Sequence, residues 1–189
     1  MRRLHATVPC ATIVVALALA GCGSTSSDSP TEAVQFQSAE IPAGHTIPAT
    51  YTCDGENISP SFEWGPVPAN TGELVLLVVG LRPTSIGGRY SVSVEWAVAG
   101  IAPQLHKLVA GQLPHGAYIG VASSGKRTYS ICPKKGVSET YQFTLFAVPP
   151  TITISSRFLG MSALAALSTP HTSTSAIGEG SFVAHYART

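Results

Sequence analysis

Charged side chains are scarce in this sequence, and their balance argues against one class of partner. The 189 residues include 11 Lys and Arg and 10 Asp and Glu, so the formal net charge is only +1. Proteins that bind the phosphates of nucleic acid generally carry a surplus of Lys and Arg. The near-neutral balance therefore argues against a nucleic-acid partner, and it provides no electrostatic attraction to anionic lipid.

Several signatures of catalytic and metal-binding proteins are also missing. No Ser lies in a Gly-x-Ser-x-Gly elbow, no glycine-rich loop is suited to cradle a phosphate, and no internal repeat is present. No two His residues are four apart, and the Cys residues lack the paired spacing of a zinc site. We therefore expect no enzymatic activity, no metal and no cofactor.

The N-terminus has the pattern of a bacterial lipoprotein signal. The apolar run Ala11–Ala20 follows a basic Arg2-Arg3 pair and is too short to span a bilayer as a helix, which needs about 20 residues. Small residues then precede Cys22, as in a lipobox. We expect a signal peptide over 1–21 and a diacylglyceryl group on Cys22. An ordinary secretory signal and an uncleaved anchor are the alternatives.

The residues after Cys22 suggest how a folded domain would be attached. Residues 22–33 are mostly small and polar, with several Ser, as in a flexible tether, and the domain is expected over 34–189. The lipoprotein interpretation places this domain on the extracytoplasmic face of the bacterial cell membrane, attached through the lipid on Cys22.

The domain retains two cysteines, Cys53 and Cys132. In an exported protein such a pair is often joined in a disulfide. The alternative is two buried free thiols, because Cys is also a common core residue.

Short segments with two-residue periodicity, together with one continuous apolar run at Leu74–Val79, predict a mainly β fold. They are Val34–Ala39, Ile47–Tyr51, Ser61–Trp64, Leu74–Val79, Ser91–Ile101, Tyr141–Val148 and Phe182–Tyr186. A helix is expected from a cap at Ser156 to about Leu167, with Pro170 as its stop. We therefore expect an antiparallel β-sandwich with a short peripheral C-terminal helix. Within Ser91–Ile101, strict alternation predicts Val94 and Trp96 on one face and Glu95 and Ala97 on the other.

Five segments in order resemble the phosphatidylethanolamine-binding protein family, in its bacterial Raf-kinase-inhibitor-like branch. They are IPATYTCDGENISPSFEW at Ile47–Trp64, the apolar strand at Leu74, the strand at Trp96, Cys132-Pro133 with Gly136, and YQFTLFAV at Tyr141–Val148. The resemblance covers Val34–Arg188. It implies a β-sandwich with a pocket at one end for small anions such as phosphate or phosphoryl head groups.

The resemblance also implies where that pocket lies, and this chain differs there. The family has an Asp-Pro-Asp-Ala-Pro loop, a His before the Trp, a Gly-Pro-Cys-Pro-Pro segment and a His-Arg pair. Here the two acids correspond to Gly80 and Arg82, the His to Glu95, and the His-Arg pair to Glu139-Thr140. The implied ligand-binding positions are Gly80, Arg82, Glu95, Trp96, Tyr129, Cys132, Pro133, Glu139 and Tyr141.

The exchanged residues change what the pocket is expected to bind. An imidazole donates hydrogen bonds to a phosphoryl oxygen, whereas an ionised carboxylate only accepts them, so Glu95 and Glu139 are expected to repel an anion. Three alternatives follow. Arg82 bridges both carboxylates and occupies the pocket, all three side chains are solvated at its rim, or together they form a site for a cationic or zwitterionic ligand.

We therefore expect a lipid-anchored binding module with a degenerate anion pocket. The alternative is a protein-interaction or inhibitor module that acts on a cell-envelope partner. An open pocket near Glu95, Trp96, Tyr129 and Tyr141 would indicate the first. A closed pocket and an exposed apolar patch on residues 102–120 would indicate the second.

Overall fold

The computed structural model describes residues 31–169, 172 and 174–189. Within them the chain forms nine β-strands and one α-helix. They are β1 (Glu32–Ala33), β2 (Phe36–Gln37), β3 (Phe62–Trp64), β4 (Glu73–Pro83), β5 (Tyr90–Ile101), β6 (Lys107–Leu108), β7 (Tyr118–Ile119), β8 (Ser138–Val148), α1 (Gly160–Leu167) and β9 (Gly178–Ala187). The expected signal peptide, Cys22, the tether up to residue 30 and the stop at Pro170 lie outside the described residues.

The strands form two sheets, which confirms the expected mainly β fold. The larger sheet has the order β1-β9-β8-β4-β5-β7, and the smaller one has the order β2-β3-β6. Neighbouring strands are antiparallel except β1 and β9, which are parallel. The long strands β4, β5, β8 and β9 lie side by side and provide the frame on which the candidate site is built.

Strand β4 is continuously apolar because both of its faces are covered. Leu76 and Val78 face the smaller sheet and join an aromatic core in which Phe143 and Phe182 stack with their ring centroids 4.8 Å apart. The alternate residue Leu77 packs on the opposite side with the helix. Two-residue alternation thus buries successive side chains of one strand in two different cores.

The strict alternation predicted for β5 is wrong at one point. The register of β5 against β4 shifts between Val94 and Trp96, as in a β-bulge. Val94 and Ala97 pack beneath the helix, whereas Trp96 belongs to the core between the sheets. Glu95 also faces the space between the sheets, because its Oε1 lies 3.0 Å from the position of a Cβ on Gly80. The bulge therefore directs two consecutive side chains to the same side.

Two further segments differ from expectation near Pro48 and Val79. Residues Ala49–Tyr51 form a 3₁₀ turn instead of a strand, with Pro48 at its start. Proline has no N–H to donate to a sheet and its φ angle is fixed near −65°, so it favours a turn here. Strand β4 continues beyond Val79 to Pro83, which places Gly80 and Arg82 on a strand rather than in a loop.

The helix begins at Gly160 rather than after Ser156. The preceding Leu159 is extended and forms a β-bridge with Val121, whose carbonyl accepts the N–H of Gly160. A Cβ on Gly160 would lie 2.7 Å from Cγ1 of Val94, so only glycine allows the first turn to approach the sheet this closely. Tertiary pairing therefore delays the start of the helix.

The loop after the 3₁₀ turn is fastened to the rest of the domain by covalent and polar contacts. Cys53 and Cys132 form a disulfide with their Cα atoms 5.2 Å apart. The adjacent Asp54 accepts hydrogen bonds from the Tyr186 hydroxyl at 2.7 Å and from Arg188 Nε at 2.9 Å. The structure thus assigns Asp54 a structural role.

Loss of the disulfide is expected to destabilise the domain substantially. The bridge joins residues 79 apart, so on the chain-entropy model the Cys53→Ala/Cys132→Ala variant loses about 4 kcal/mol of unfolding free energy. Urea unfolding under non-reducing conditions measures the difference. Reductant should lower the midpoint of the wild type and leave that of the double variant unchanged. Equal midpoints for the two proteins without reductant would contradict the expectation.

Candidate functional site

The altered family positions meet at one end of three adjacent strands. Gly80 on β4 is directly opposite Tyr141 on β8 and Ser93 on β5. Because side chains alternate along a strand, Arg82 faces the same side as Gly80, and Glu139 faces the same side as Tyr141. The sheet therefore brings one guanidinium and two carboxylates, including that of Glu95, into one cluster. We call Gly80, Arg82, Glu95, Glu139 and Tyr141 the charged cluster.

Glu139 is the most deeply buried charged group of this cluster. Its side chain is only 3% exposed, and its Oε1 accepts a hydrogen bond from Nε of Arg82, which is 41% exposed. Its Oε2 accepts a hydrogen bond from the Tyr141 hydroxyl at 2.9 Å. Burial and the charge of Glu139 raise the pKa of Tyr141, so this phenol stays a donor. Both oxygens of the carboxylate are thus satisfied by protein groups.

Glu95 has a different partner. Its Oε1 accepts a hydrogen bond from the Ser93 hydroxyl at 2.5 Å. Burial raises the pKa of Glu95, the charge of Glu139 raises it further, and the Ser93 hydrogen bond and Arg82 act in the opposite direction. In the described part of the chain, Arg82 forms an ion pair with Glu139 and none with Glu95. The predicted bridge to both carboxylates is therefore present on the Glu139 side alone.

The burial of Glu139 also decides against a second alternative. A carboxylate that is 3% exposed is not a solvated rim residue, so the interpretation of all three side chains as rim residues is wrong for Glu139. The side chain of Arg82, by contrast, is partly exposed to solvent.

Gly80 provides the space for the Glu95 carboxylate. A Cβ at this position would lie 3.0 Å from Glu95 Oε1 and 3.2 Å from Ser93 Oγ. The acid that the resemblance implies at Gly80 would thus be placed directly against another acid, at the electrostatic cost of two like charges. The exchange to Gly80 and the exchange to Glu95 are therefore physically matched.

The remaining predicted positions lie elsewhere. Cys132 is joined to Cys53, and Pro133 is buried beside it. Trp96 and Tyr129 contact each other edge to face, with ring centroids 5.4 Å apart. They line a cavity of about 210 Å³ that no residue of the charged cluster lines. Of the four residues around which an open pocket would have indicated a ligand-binding protein, Trp96 and Tyr129 line this cavity, whereas Glu95 and Tyr141 do not.

Sequence reasoning missed two kinds of contributing residue. Ser93 lies two residues before Glu95 on β5, but sequence spacing does not reveal their hydrogen bond. Asn57, Gln112 and Leu113 line the cavity with Trp96 and come from irregular segments that have no periodic signal.

The described residues contain no group of three or more His, Cys, Asp or Glu side chains arranged to share a metal ion. Likewise, no helix in the described ranges is long and apolar enough to cross a membrane.

Because the pKa of Glu95 is raised, we expect the stability of the folded domain to depend on pH. A folded-state pKa above the ordinary value of 4.5 contributes stability that is fully present below pH 4.5 and is lost as the pH rises through the raised value. Glu95→Gln should therefore gain stability over the wild type as the pH rises, by at most about 1.4 kcal/mol per pH unit. Chemical unfolding between pH 4 and pH 8 measures this, with exposed Glu56→Gln as control. A pH-independent difference would contradict it.

Comparison of the sequence with known families agrees with this architecture. The model of the family described as phosphatidylethanolamine-binding protein matches residues 37–182. A UPF0098 protein of Methanothermobacter thermautotrophicus is 37% identical over 108 residues, which is 54% of this chain and 68% of the relative. A UPF0098 protein of Aquifex aeolicus is 32% identical over 111 residues, which is 56% of this chain and 62% of the relative, less than two thirds of its length.

Two solved structures share the fold. A phosphatidylethanolamine-binding protein homologue from Chlamydia trachomatis has a TM-score of 0.67 at 23% identity and covers 84% of this chain and 99% of its own. The Escherichia coli protein YbcL is described as a new member of the mammalian phosphatidylethanolamine-binding protein family. It has a TM-score of 0.67 at 24% identity, and the match covers 82% of this chain and 99% of YbcL. With the family match over 37–182, the chain belongs to the phosphatidylethanolamine-binding protein family.

Proposed function

We propose that this protein is a lipid-anchored, extracytoplasmic binding module in which the family's anion pocket no longer accepts phosphoryl groups. The observation that carries the proposal is the ion pair between Arg82 and the buried Glu139, with Glu95 beside it. These side chains occupy the positions that the family resemblance implies for the pocket.

The contacts of the charged cluster support the exclusion of phosphate. The Nε donor of Arg82 and the Tyr141 hydroxyl are both directed at Glu139, so neither is available to an incoming anion. Removing one partner of a buried ion pair generally costs roughly 3–5 kcal/mol. The cost here is smaller because Arg82 is partly exposed and screened by solvent. Two carboxylates would also repel the anion.

The same cluster favours ligands of the opposite charge. Glu95 has a hydroxyl partner but forms no ion pair in the described residues, and burial together with the charge of Glu139 raises its pKa. An ammonium group beside Glu95 would supply that compensation. Arg82 competes for this role because it already lies within the cluster.

The N-terminal pattern supports attachment through lipid. Small residues precede Cys22 after a short apolar run, and a stretch of small polar residues follows. Attachment through Cys22 would leave the domain from about residue 34 in water, linked to the membrane by the tether.

A second candidate function is a protein-interaction or inhibitor module. The insert of residues 102–120 exposes Val109 to 49% and Leu113 to 39%, and both line a groove of about 110 Å³. Exposed apolar side chains grouped in this way are typical of protein contact surfaces.

Titration calorimetry with phosphate, phosphoethanolamine and ethanolamine, at two salt concentrations, tests the proposed exclusion of anions. The wild type should give no saturable heat with either phosphate-bearing ligand. Arg82→Met removes the positive charge that acts on both carboxylates and should strengthen ethanolamine binding about tenfold, whereas Arg82→Lys, which keeps the charge, should not. Saturable phosphate binding by the wild type would overturn the proposal. The absence of saturable heat for every ligand and variant would favour the protein-interaction or inhibitor module.

The lipid anchor is tested by substitution of Cys22. In a bacterial host the wild type should partition into the detergent phase of Triton X-114, and its mass should include a diacylglyceryl group. Cys22→Ser should lose both properties because the thiol that receives the lipid is gone. Cys10→Ser, a matched change within the expected signal peptide, should retain them. A mature wild-type chain without lipid would contradict the anchor.

A further inference from the structure

We propose that one face of the folded domain rests on a bilayer surface that contains anionic lipid. The face is formed by three segments: the hairpin between β4 and β5 at 84–92, the segment at 119–128, and the segment at 155–161 that leads into α1. We call the surface of these three segments the basic face. It contains no residue of the charged cluster, and the proposal does not require lipid on Cys22.

Backbone contacts hold the three segments of the basic face together. Val121 and Leu159 form a β-bridge, which joins the second segment to the third. The N–H of Ser123 donates to the carbonyl of Val94 at 2.8 Å, and the N–H of Val94 donates to Ser123 Oγ at 2.8 Å. Because Val94 follows Val92 by two residues on β5, the second segment is joined to the hairpin as well. The three segments therefore form one continuous surface.

The charged side chains of the basic face are all positive. Its three segments contain no Asp or Glu, and they contain four exposed cations, Arg89, Lys126, Arg127 and Arg157. The whole chain has almost equal numbers of the two signs, so its composition conceals this separation of charge. A net charge near zero therefore does not exclude a local attraction between this face and anionic lipid.

The neighbouring groups leave the positive charge of the basic face in place. Among the described residues, none of its four cations forms an ion pair. Arg127 Nη1 donates to two backbone carbonyls, at 3.1 Å in the second segment and at 2.8 Å in the third, and these contacts do not remove its charge. The carboxylate of Glu73 approaches at Ile154, but it accepts the backbone N–H groups of Ile154 at 3.3 Å and Gly100 at 2.7 Å.

Large apolar side chains are exposed beside these cations. Eight such side chains are exposed in the described residues, and five of them belong to the three short segments of the basic face. The five are Ile86, Tyr90, Val92, Leu159 and Met161. Scattered exposed apolar residues are ordinary, but a group of this kind on one surface is typical of a site of contact with a protein or a membrane.

The combination of positive charge and exposed apolar surface favours a bilayer as the partner. Anionic headgroups attract Lys and Arg, and apolar side chains beside the cations can enter the interface below those headgroups. A second copy of the chain docked through the same face would bring like charges together. An acidic protein could match the charges, but it would also need an apolar patch opposite each exposed apolar side chain. A bilayer offers both properties at every point of its surface.

Fluorescence of the full-length chain with lipid vesicles tests the proposal. Trp64 and Trp96 are buried, so Tyr90→Trp adds an exposed indole to the basic face without changing its charge. In phosphatidylcholine vesicles with about 30% phosphatidylglycerol, brominated lipid should quench this indole, and high salt should reverse the quenching. Vesicles of phosphatidylcholine alone should give no quenching. Val109→Trp is the matched control, because Val109 is exposed outside the basic face, and its indole should not be quenched in either kind of vesicle.

Two charge variants, each combined with Tyr90→Trp, assign the contact to the basic face. Arg89→Gln/Arg157→Gln removes two exposed cations from it and should lower the ratio of docked to undocked domain roughly 30-fold. Lys134→Gln/Lys135→Gln removes two exposed cations elsewhere and should leave that ratio unchanged. An equal loss in both variants would overturn the proposal.

The vesicle measurements also separate this proposal from the lipid anchor. Cys22→Ser should weaken binding to both kinds of vesicle and leave the preference for phosphatidylglycerol intact, because the basic face is unchanged. Quenching of the Tyr90→Trp indole that is equal in neutral and anionic vesicles would show that the anchor alone holds the domain at the membrane, and it would overturn the proposal. The absence of quenching in both would overturn it as well and would favour an acidic protein as the partner of this face.

Discussion

The buried carboxylate of Glu139 is the constraint on which the charged cluster depends. A carboxylate that is 3% exposed requires partners for both oxygens, and Arg82 and Tyr141 provide them. Because Arg82 pairs with Glu139, the second acid, Glu95, needs a different hydrogen-bond partner. Glu95 therefore takes a hydroxyl partner from Ser93 and occupies the space that Gly80 leaves open. The residues that differ from the family pattern thus fit one another in pairs: Arg82 neutralises Glu139, and Gly80 leaves space for Glu95.

The charged cluster and the cavity beside Trp96 are chemically different. The charged cluster concentrates ionisable groups at the end of the central strands, so its binding properties depend on charge and on pH. The cavity beside Trp96 is lined by no Asp, Glu, Lys, Arg or His, and burial raises the pKa of the Tyr129 phenol, so its lining is neutral. The charged cluster and this cavity share no residues.

The sequence predicted the parts of the fold that periodicity controls. The strands β3, β4, β5, β8 and β9 follow from alternating or continuous apolar runs, because each has at least one buried face. The turn at Ala49–Tyr51 and the late start of the helix at Gly160 did not follow, since Pro48 and the bridge to Val121 override the local pattern. Local propensity reflects only neighbouring residues and does not include tertiary contacts such as this bridge.

The residues of the charged cluster could be named from the family resemblance, but their pairing could not. The choice of Arg82 between two carboxylates depends on their relative burial and distance, which sequence spacing does not contain. The cavity was beyond prediction for a different reason. Asn57 and Leu113, which line it, belong to segments without periodicity, so no sequence pattern brings them together.

One irregularity of the backbone explains why the charged cluster and the cavity beside Trp96 lie next to each other. In a regular strand, Glu95 and Trp96 would point to opposite faces, and one of them would lie beneath the helix. The bulge in β5 turns both toward the space between the sheets. Glu95 then joins the charged cluster and Trp96 the cavity, although the two residues are covalent neighbours. A one-residue change of register on a central strand has thus produced two distinct chemical environments within one sandwich.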